Sequence, residues 1–283
     1  MKNILIATDF SKEAYCALYY ATQLFREEDA KFHISNFYGD EIHTSVYSIV
    51  NEEEFTKTPK LRIRSEAGCT ETFHQIIRDT DLDKDRFEII SSEQKLIKGI
   101  ENAIKERDID LVIMGTKKRD GRLESLFGTH TTKLIERAVS CPILVIPREL
   151  EYTPPLNIAF ASELTRKFEE SSFSFLRDLA GKLGSSITVV YDGEEGSLTK
   201  AQWKNFNDLK SYFGEVPVHL EYTFTHIEIS RTLAEFVKNH DMDLLSMVYY
   251  KHGFAENIFR EPVIENIDRH LSFPFLILPE KSS

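Results

Sequence analysis

The sequence lacks any basic run longer than three residues. Its 283 residues carry 35 Lys and Arg against 46 Asp and Glu, a net charge of −11, so no stripe is present to track a phosphate backbone, and nucleic acid is not an expected partner. Long apolar runs are lacking as well. The opening run, residues 4–7, ends at Thr8-Asp9 and is too short for a signal-peptide core or a membrane span; a cytoplasmic protein with no membrane partner is expected. Cysteine is scarce. Cys16, Cys69 and Cys141 are odd in number and have no metal-ligand spacing, which suits reduced thiols rather than a disulfide framework or a zinc site. The histidines are scattered without metal spacing, and no acid, base and nucleophile assemble at a meaningful spacing. No metal site, no catalytic residue and no enzyme activity are therefore expected.

What the chain does contain, it contains twice. Residues 3–10 (NILIATDF), 108–114 (DIDLVIM) and 141–147 (CPILVIP) return in the same order as residues 157–164 (NIAFASEL), 241–247 (DMDLLSM) and 273–279 (FPFLILP). A repeat this long is a duplicated globular unit, since solenoid periods run to roughly 20–50 residues. The length allows two domains, each with its own core. The expected boundaries are 1–148 and 154–283, with a linker at 148–155 that ends in Pro154-Pro155.

Within the first copy, residues 4–7 read as a strand buried on both faces of a parallel sheet. Thr8-Asp9-Phe10-Ser11 then supplies turn and cap chemistry for a helix through Phe25. Further strands are expected at 32–38, 86–91, 111–114 and 143–146, and helices at 68–79, 96–107 and 129–139. Residues 39–65 read as an irregular insert with an acidic cluster, Glu52-Glu53-Glu54, and room for a short helix. In the second copy strands fall near 158–161, 186–191, 218–222, 244–248 and 275–278, and helices near 163–183, 200–213, 228–239 and 263–270. Strands alternating with helices of this length predict an α/β fold: two tandem open five-stranded parallel sheets with helices on both faces, Rossmann-like. The last strand of each copy is an apolar edge candidate, and pairing the two would make an intramolecular pseudo-dimer.

One loop carries candidate chemistry. Residues 115–131 (GTKKRDGRLESLFGTHT) follow the fourth strand, and ligands of open α/β sheets bind outside the carboxyl ends of strands where the order reverses. Gly115 sits at such an end. Gly128-Thr129 opens a helix whose N–H groups suit an anion, with the Thr129 and Thr131 hydroxyls as further donors. Asp9, at another strand end, is placed to read a ribose or base edge. The set reads as a mononucleotide site without a Walker lysine. Each residue also has a plainer role: the glycines as turn residues, Asp9 as a helix cap beside Ser11, and the run Lys117-Lys118-Arg119 as a solvated loop. His130 has no partner nucleophile or base.

On these residues the chain resembles the universal stress proteins in their tandem, UspA-like form, whose fold is that of the adenine nucleotide alpha hydrolases. The resemblance rests on Thr8-Asp9, the strand 110–115 (DLVIMG), Phe127-Gly128-Thr129 and the ending 141–145 (CPILV). Nucleotide-binding members carry Gly, two residues, Gly, nine residues, then Gly with Ser or Thr; Gly115, Gly128 and Thr129 match. Lys118 stands at the second glycine. If that position needs positive φ the lysine costs about 1–2 kcal/mol; alternatively its cation serves the phosphate, with Gly121 relieving the turn. The resemblance implies ATP or another adenine nucleotide, with or without magnesium. Its site would comprise Ala7, Thr8, Asp9, Phe37, Met114, Gly115, Lys118, Gly128, Thr129, His130 and Thr131: Asp9 at the adenosine, backbone around Phe37 at the adenine, and Gly115, Gly128, Thr129 and Thr131 at the phosphates.

The second copy departs from this pattern. Val248 replaces the first glycine, Arg260 the third, Glu261 the threonine, and Glu163 stands for Asp9. An anion at 261 opposes phosphate, so nucleotide is expected in the first copy alone. Two functions remain in view: a stress-response protein whose nucleotide state regulates association with a protein partner or with further copies of itself, and a nucleotide-independent scaffold.

Overall fold

The computed structural model describes residues 1–40, 54–116, 133–135, 137, 140–147, 150–223, 229–250 and 273–281, with residues 54–57 given by their backbone alone. The chain divides into two compact units, Met1–Lys118 with Ile143–Tyr152 and Arg119–Pro142 with Thr153–Ser283.

The first unit runs β1 (Lys2–Ala7), α1 (Lys12–Leu24), β2 (Ala30–Phe37), α2 (Glu54–Thr80), β3 (Phe87–Ser92), α3 (Leu96–Glu106), β4 (Leu111–Gly115) and β5 (Ile143–Ile146). Its strands lie in the order β3-β2-β1-β4-β5, every neighbouring pair parallel. Ile4, Leu5, Ile6, Leu111, Val112 and Ile113 have no exposed surface, which is why β1 and β4 read as unbroken apolar runs rather than alternating ones. Each such side chain contributes about 1.5–3 kcal/mol of burial. Helix α1 packs on β1, β4 and β5, and α2 lies beside it on β2 and β3.

The second unit runs β6 (Asn157–Ala161), α4 (Glu170–Leu183), β7 (Ser186–Asp192), α5 (Lys200–Phe213), β8 (Val218–Thr223), α6 (Ile229–Asn239), β9 (Leu244–Tyr249) and β10 (Phe275–Pro279). Its order, β8-β7-β6-β9-β10, is again all parallel and repeats the topology of the first. The amino ends of the central strands repeat to the level of single bonds. Asn3 N–H donates to Asp110 Oδ2 at 2.8 Å, and Asn157 N–H donates to Asp243 Oδ2 at 2.8 Å. Asp110 and Asp243 return N–H bonds of 2.8 Å to the carbonyls of Asn3 and Asn157. The turns before β4 and β9 use left-handed aspartates, Asp108 at φ 48° and Asp241 at φ 49°.

Two helices depart from expectation. The region taken as an irregular insert becomes helical at Glu54, and α2 runs from there to Thr80 rather than starting at Gly68. Its inner stripe is Leu61, Ser65, Cys69, Thr72, Ile76 and Thr80, of which the last five are buried. Half of that stripe is hydroxyl-bearing and Pro59 interrupts the first turns, which disguises the periodicity. The hydroxyls are satisfied locally: Ser65 Oγ meets Ser91 Oγ at 2.7 Å, Thr72 donates to the Gly68 carbonyl and Thr80 to that of Ile76. Helix α4 begins at Glu170, seven residues after its expected start at Glu163. Of the helix expected over 129–139, residues 133–135 are described and helical; that over 263–270 lies outside the described residues.

Candidate functional site

In the first unit strand order reverses between β1 and β4, and the carboxyl ends of these strands bring the expected residues together. Ala7 pairs with Met114 in the ladder, both nearly buried. Beyond them the chain turns sharply. Thr8 N–H donates to the Ser35 carbonyl at 2.8 Å, the Thr8 carbonyl accepts from Asn36 Nδ2 at 2.7 Å, and Thr8 Oγ1 accepts from Phe10 N–H at 3.0 Å. These bonds hold Phe10 at φ 65°, a left-handed conformation that costs a non-glycine residue about 1–2 kcal/mol. The Phe10 ring lies on Gly68 of α2, where a Cβ would come within 2.7 Å of it.

Asp9 is exposed at the tip of this turn. It is not the helix cap. Ser11 caps α1, its Oγ accepting from Ala14 N–H at 3.3 Å. Asp9 Oδ1 instead fixes the cap residue, accepting from Ser11 N–H at 3.1 Å and Ser11 Oγ at 2.5 Å. The Asp9 carboxylate is therefore held in place at the mouth of the switch point by the start of the helix.

Gly115 ends β4, and Thr116 N–H continues the ladder to the Ile146 carbonyl at 3.0 Å. A Cβ on Gly115 would lie 2.3 Å from the Glu13 carbonyl oxygen and 2.9 Å from Ala14 N. The first turn of α1 thus rests directly on the Gly115 backbone. At the end of β2 the Phe37 ring covers Gly99 of α3, with a Cβ there falling 2.1 Å from the ring. The backbone that follows is already engaged: Tyr38 N–H bonds the Ser92 carbonyl and Gly39 N–H that of Gln94, each at 3.0 Å. Lys118, Gly128, Thr129, His130 and Thr131 lie outside the described residues.

Near this site Cys69 is buried against the Asn36 backbone, and burial pushes its thiol up to about 11. It stays protonated at neutral pH and is a packing residue. Among the described residues no three His, Cys, Asp or Glu side chains converge on a point that could hold a metal ion, and no helix is long and apolar enough to cross a membrane.

The second unit forms the same turn with different consequences. Ser162 N–H donates to the Val190 carbonyl at 3.1 Å, Ser162 Oγ accepts from Leu164 N–H at 3.0 Å, and Leu164 takes φ 55°. The segment then stays non-helical until Glu170. Two side chains of α5, which sequence reasoning missed, hold it: Gln202 Nε2 donates to the Glu163 carbonyl at 2.9 Å and Asn205 Nδ2 to the Leu164 carbonyl at 2.8 Å. Long-range bonds to backbone leave no signal in a sequence. The cavity remaining among Phe160, Leu164, Phe168, Val248 and Tyr250 is about 40 Å³, against roughly 300–1,000 Å³ for a small-molecule pocket. Arg260 and Glu261 lie outside the described residues.

Comparison with known proteins agrees with this architecture. A universal stress protein from Archaeoglobus fulgidus DSM 4304 superposes with a TM-score of 0.67 at 11% identity, covering 97% of each chain. A functionally unknown protein from Pseudomonas aeruginosa PAO1 gives a TM-score of 0.60 at 13% identity, over 99% of this chain and 93% of that one. At these identities the likeness is one of fold. No curated protein matches the sequence. The sequence model of the universal stress protein family matches residues 1–147, more than half of the chain, and this protein belongs to the universal stress protein family.

Proposed function

We propose that this protein acts in the stress response by binding an adenine nucleotide, ATP foremost, in its first unit, and that occupancy regulates what the chain associates with instead of driving a reaction. The observation that carries this reading is the Thr8-Asp9-Phe10 turn at the β1/β4 switch point, where a strained residue and a pinned carboxylate meet at the end of the sheet where α/β proteins take ligands. The described residues fit the adenosine end: Asp9 offers an oriented acceptor for ribose hydroxyls, and Phe37 an apolar neighbour. Because the Tyr38 and Gly39 N–H groups are already bonded within the unit, the backbone around Phe37 would meet the adenine through groups other than these two. The phosphate role of Lys118, Gly128, Thr129 and Thr131 rests on the family resemblance.

A second reading, a scaffold that needs no nucleotide, is favoured by one observation. Gly115 is explained fully by its contact with Glu13, with no ligand required. Mass spectrometry of the denatured purified protein, searching for co-purified ATP, ADP or AMP, separates the two. Calorimetry of wild type, Gly128→Glu and Lys118→Gly completes the test. A bulky anion at 128 should abolish binding where backbone N–H groups must approach phosphate. Equal binding by wild type and Gly128→Glu, or no binding by wild type and Lys118→Gly at millimolar nucleotide, leaves the scaffold reading standing.

A further inference from the structure

The two units differ most where a helix should begin. In strand register Ile4 pairs with Leu111 and Ile158 with Leu244, so Val248 occupies the position of Gly115, and Lys167 and Phe168 those of Glu13 and Ala14. In the first unit the helix starts at Lys12, three residues after Asp9; in the second it starts at Glu170, seven after Glu163. One helical turn, about four residues, is missing. The reason is steric. The first turn of α1 sits where a Cβ on Gly115 would meet the Glu13 carbonyl at 2.3 Å, and Val248 carries a whole isopropyl group at the corresponding point. It is 4% exposed and lines the remaining cavity together with Lys167 and Phe168.

The displaced turn does not swing away. Leu164 is buried, the carbonyls of Glu163 and Leu164 are bonded to Gln202 and Asn205, and Phe168 stacks on Phe173 at 4.9 Å and meets Tyr212 at 5.3 Å. Arg166, whose guanidinium lies 5.4 Å over the Tyr250 ring, spans from the segment to the end of β9. Burial, with the Glu280 carboxylate beside it, pushes the Tyr250 hydroxyl up to about 12 against the pull of Arg166, so the ring stays neutral beneath the cation.

We propose that residues 164–168 form an internal strap that fills the second unit's ligand crevice, released from the helix by Val248 and latched to α5 by Gln202 and Asn205. The strap makes this unit closed by construction, whether or not the first unit takes a nucleotide. Unlatching it exposes a crevice walled by Phe160, Phe173, Leu209 and Val248.

Trypsin reads the latch, because Arg166 and Lys167 are exposed side chains within the strap. Gln202→Glu with Asn205→Asp removes both amide donors without changing size. The glutamate still accepts from Thr199 N–H, so the capping box of α5 keeps its backbone half. Cleavage after Arg166 and Lys167 in the intact protein should accelerate by about tenfold or more, since local opening governs the rate. Asp208→Asn, which weakens the exposed pair with Lys204 on the same helix and touches neither latch residue, should stay near the wild-type rate. Should the double variant fail to fold by circular dichroism, Asn205→Asp alone repeats the measurement with a smaller acceleration. Cleavage of the latch variants at the wild-type rate, or equal acceleration by Asp208→Asn, overturns the proposal.

Discussion

Gly115→Ala isolates what the end of β4 does for the fold. The added Cβ would lie 2.3 Å from the Glu13 carbonyl oxygen, 2.5 Å from its carbon and 2.9 Å from Ala14 N. These are backbone atoms of a capped helix turn, not the tip of a flexible side chain, so relief requires α1 to shift by about 1 Å. Inserting one carbon into such a contact costs about 1–3 kcal/mol. For a unit of this size each kcal/mol lowers Tm by on the order of 3 °C, so the alanine variant should melt about 3–9 °C lower, and Gly115→Val lower still. Thermal unfolding followed by circular dichroism in nucleotide-free buffer measures it. Loss of stability without ligand identifies packing as the origin of the glycine. Should Gly115→Ala melt with wild type while its nucleotide affinity falls, the contact with Glu13 is not what demands glycine and the steric account of Val248 fails with it.

Other outcomes follow from the same geometry. Thr8→Val keeps the shape but orphans Phe10 N–H in a left-handed turn, and should cost about 1–3 kcal/mol in urea unfolding; an unchanged midpoint would mean the turn does not need the hydroxyl. Asp9→Asn should lower adenine nucleotide affinity in calorimetry while circular dichroism stays unchanged, and equal affinity removes Asp9 from the site. Nucleotide should saturate at one per chain, because the second crevice is filled; two sites would contradict that. His33, buried on β2, is held below the usual imidazole value by burial, with Arg107 and Lys31 adding to the effect and Glu88 opposing it. The unfolded chain therefore binds this proton first. The His33 contribution is fully present above about pH 6.5 and is lost as pH falls below it, at up to about 1.4 kcal/mol per pH unit; His33→Gln should flatten the urea midpoint between pH 7 and 5, and an unaltered slope would exclude His33 as the cause.

Much of this architecture is legible in the sequence, for a definite reason. Buried parallel strands are written as local apolar runs, so β1, β4, β5, β9 and β10 can be read directly, and the repeat tells which strand answers which. Helix α2 is half hidden because Ser65, Thr72 and Thr80 face inward and satisfy their hydroxyls within the unit, something periodicity of apolar residues cannot register. The turn at Thr8-Asp9 is legible as turn chemistry, but the cap falls on Ser11, with Asp9 one step back as its tether. The start of α4 is misread because residues 163–169 carry acceptable helix formers; what prevents the helix is Val248, some eighty residues away. Gln202 and Asn205 bond carbonyls, which every residue has, so nothing in the strap names its partners.

The matched bonds at the amino ends of the strands have a consequence for how the chain has changed since it was doubled. Asn3 with Asp110 and Asn157 with Asp243 have kept the same residue types, distances and adjoining left-handed aspartate, while at the opposite ends glycine has become valine and a helical turn has been lost. Divergence has thus run along the strand axis. The amino ends, where both copies keep the same bonds, carry what the two sheets need in common to fold, and the carboxyl ends carry what sets the two units apart.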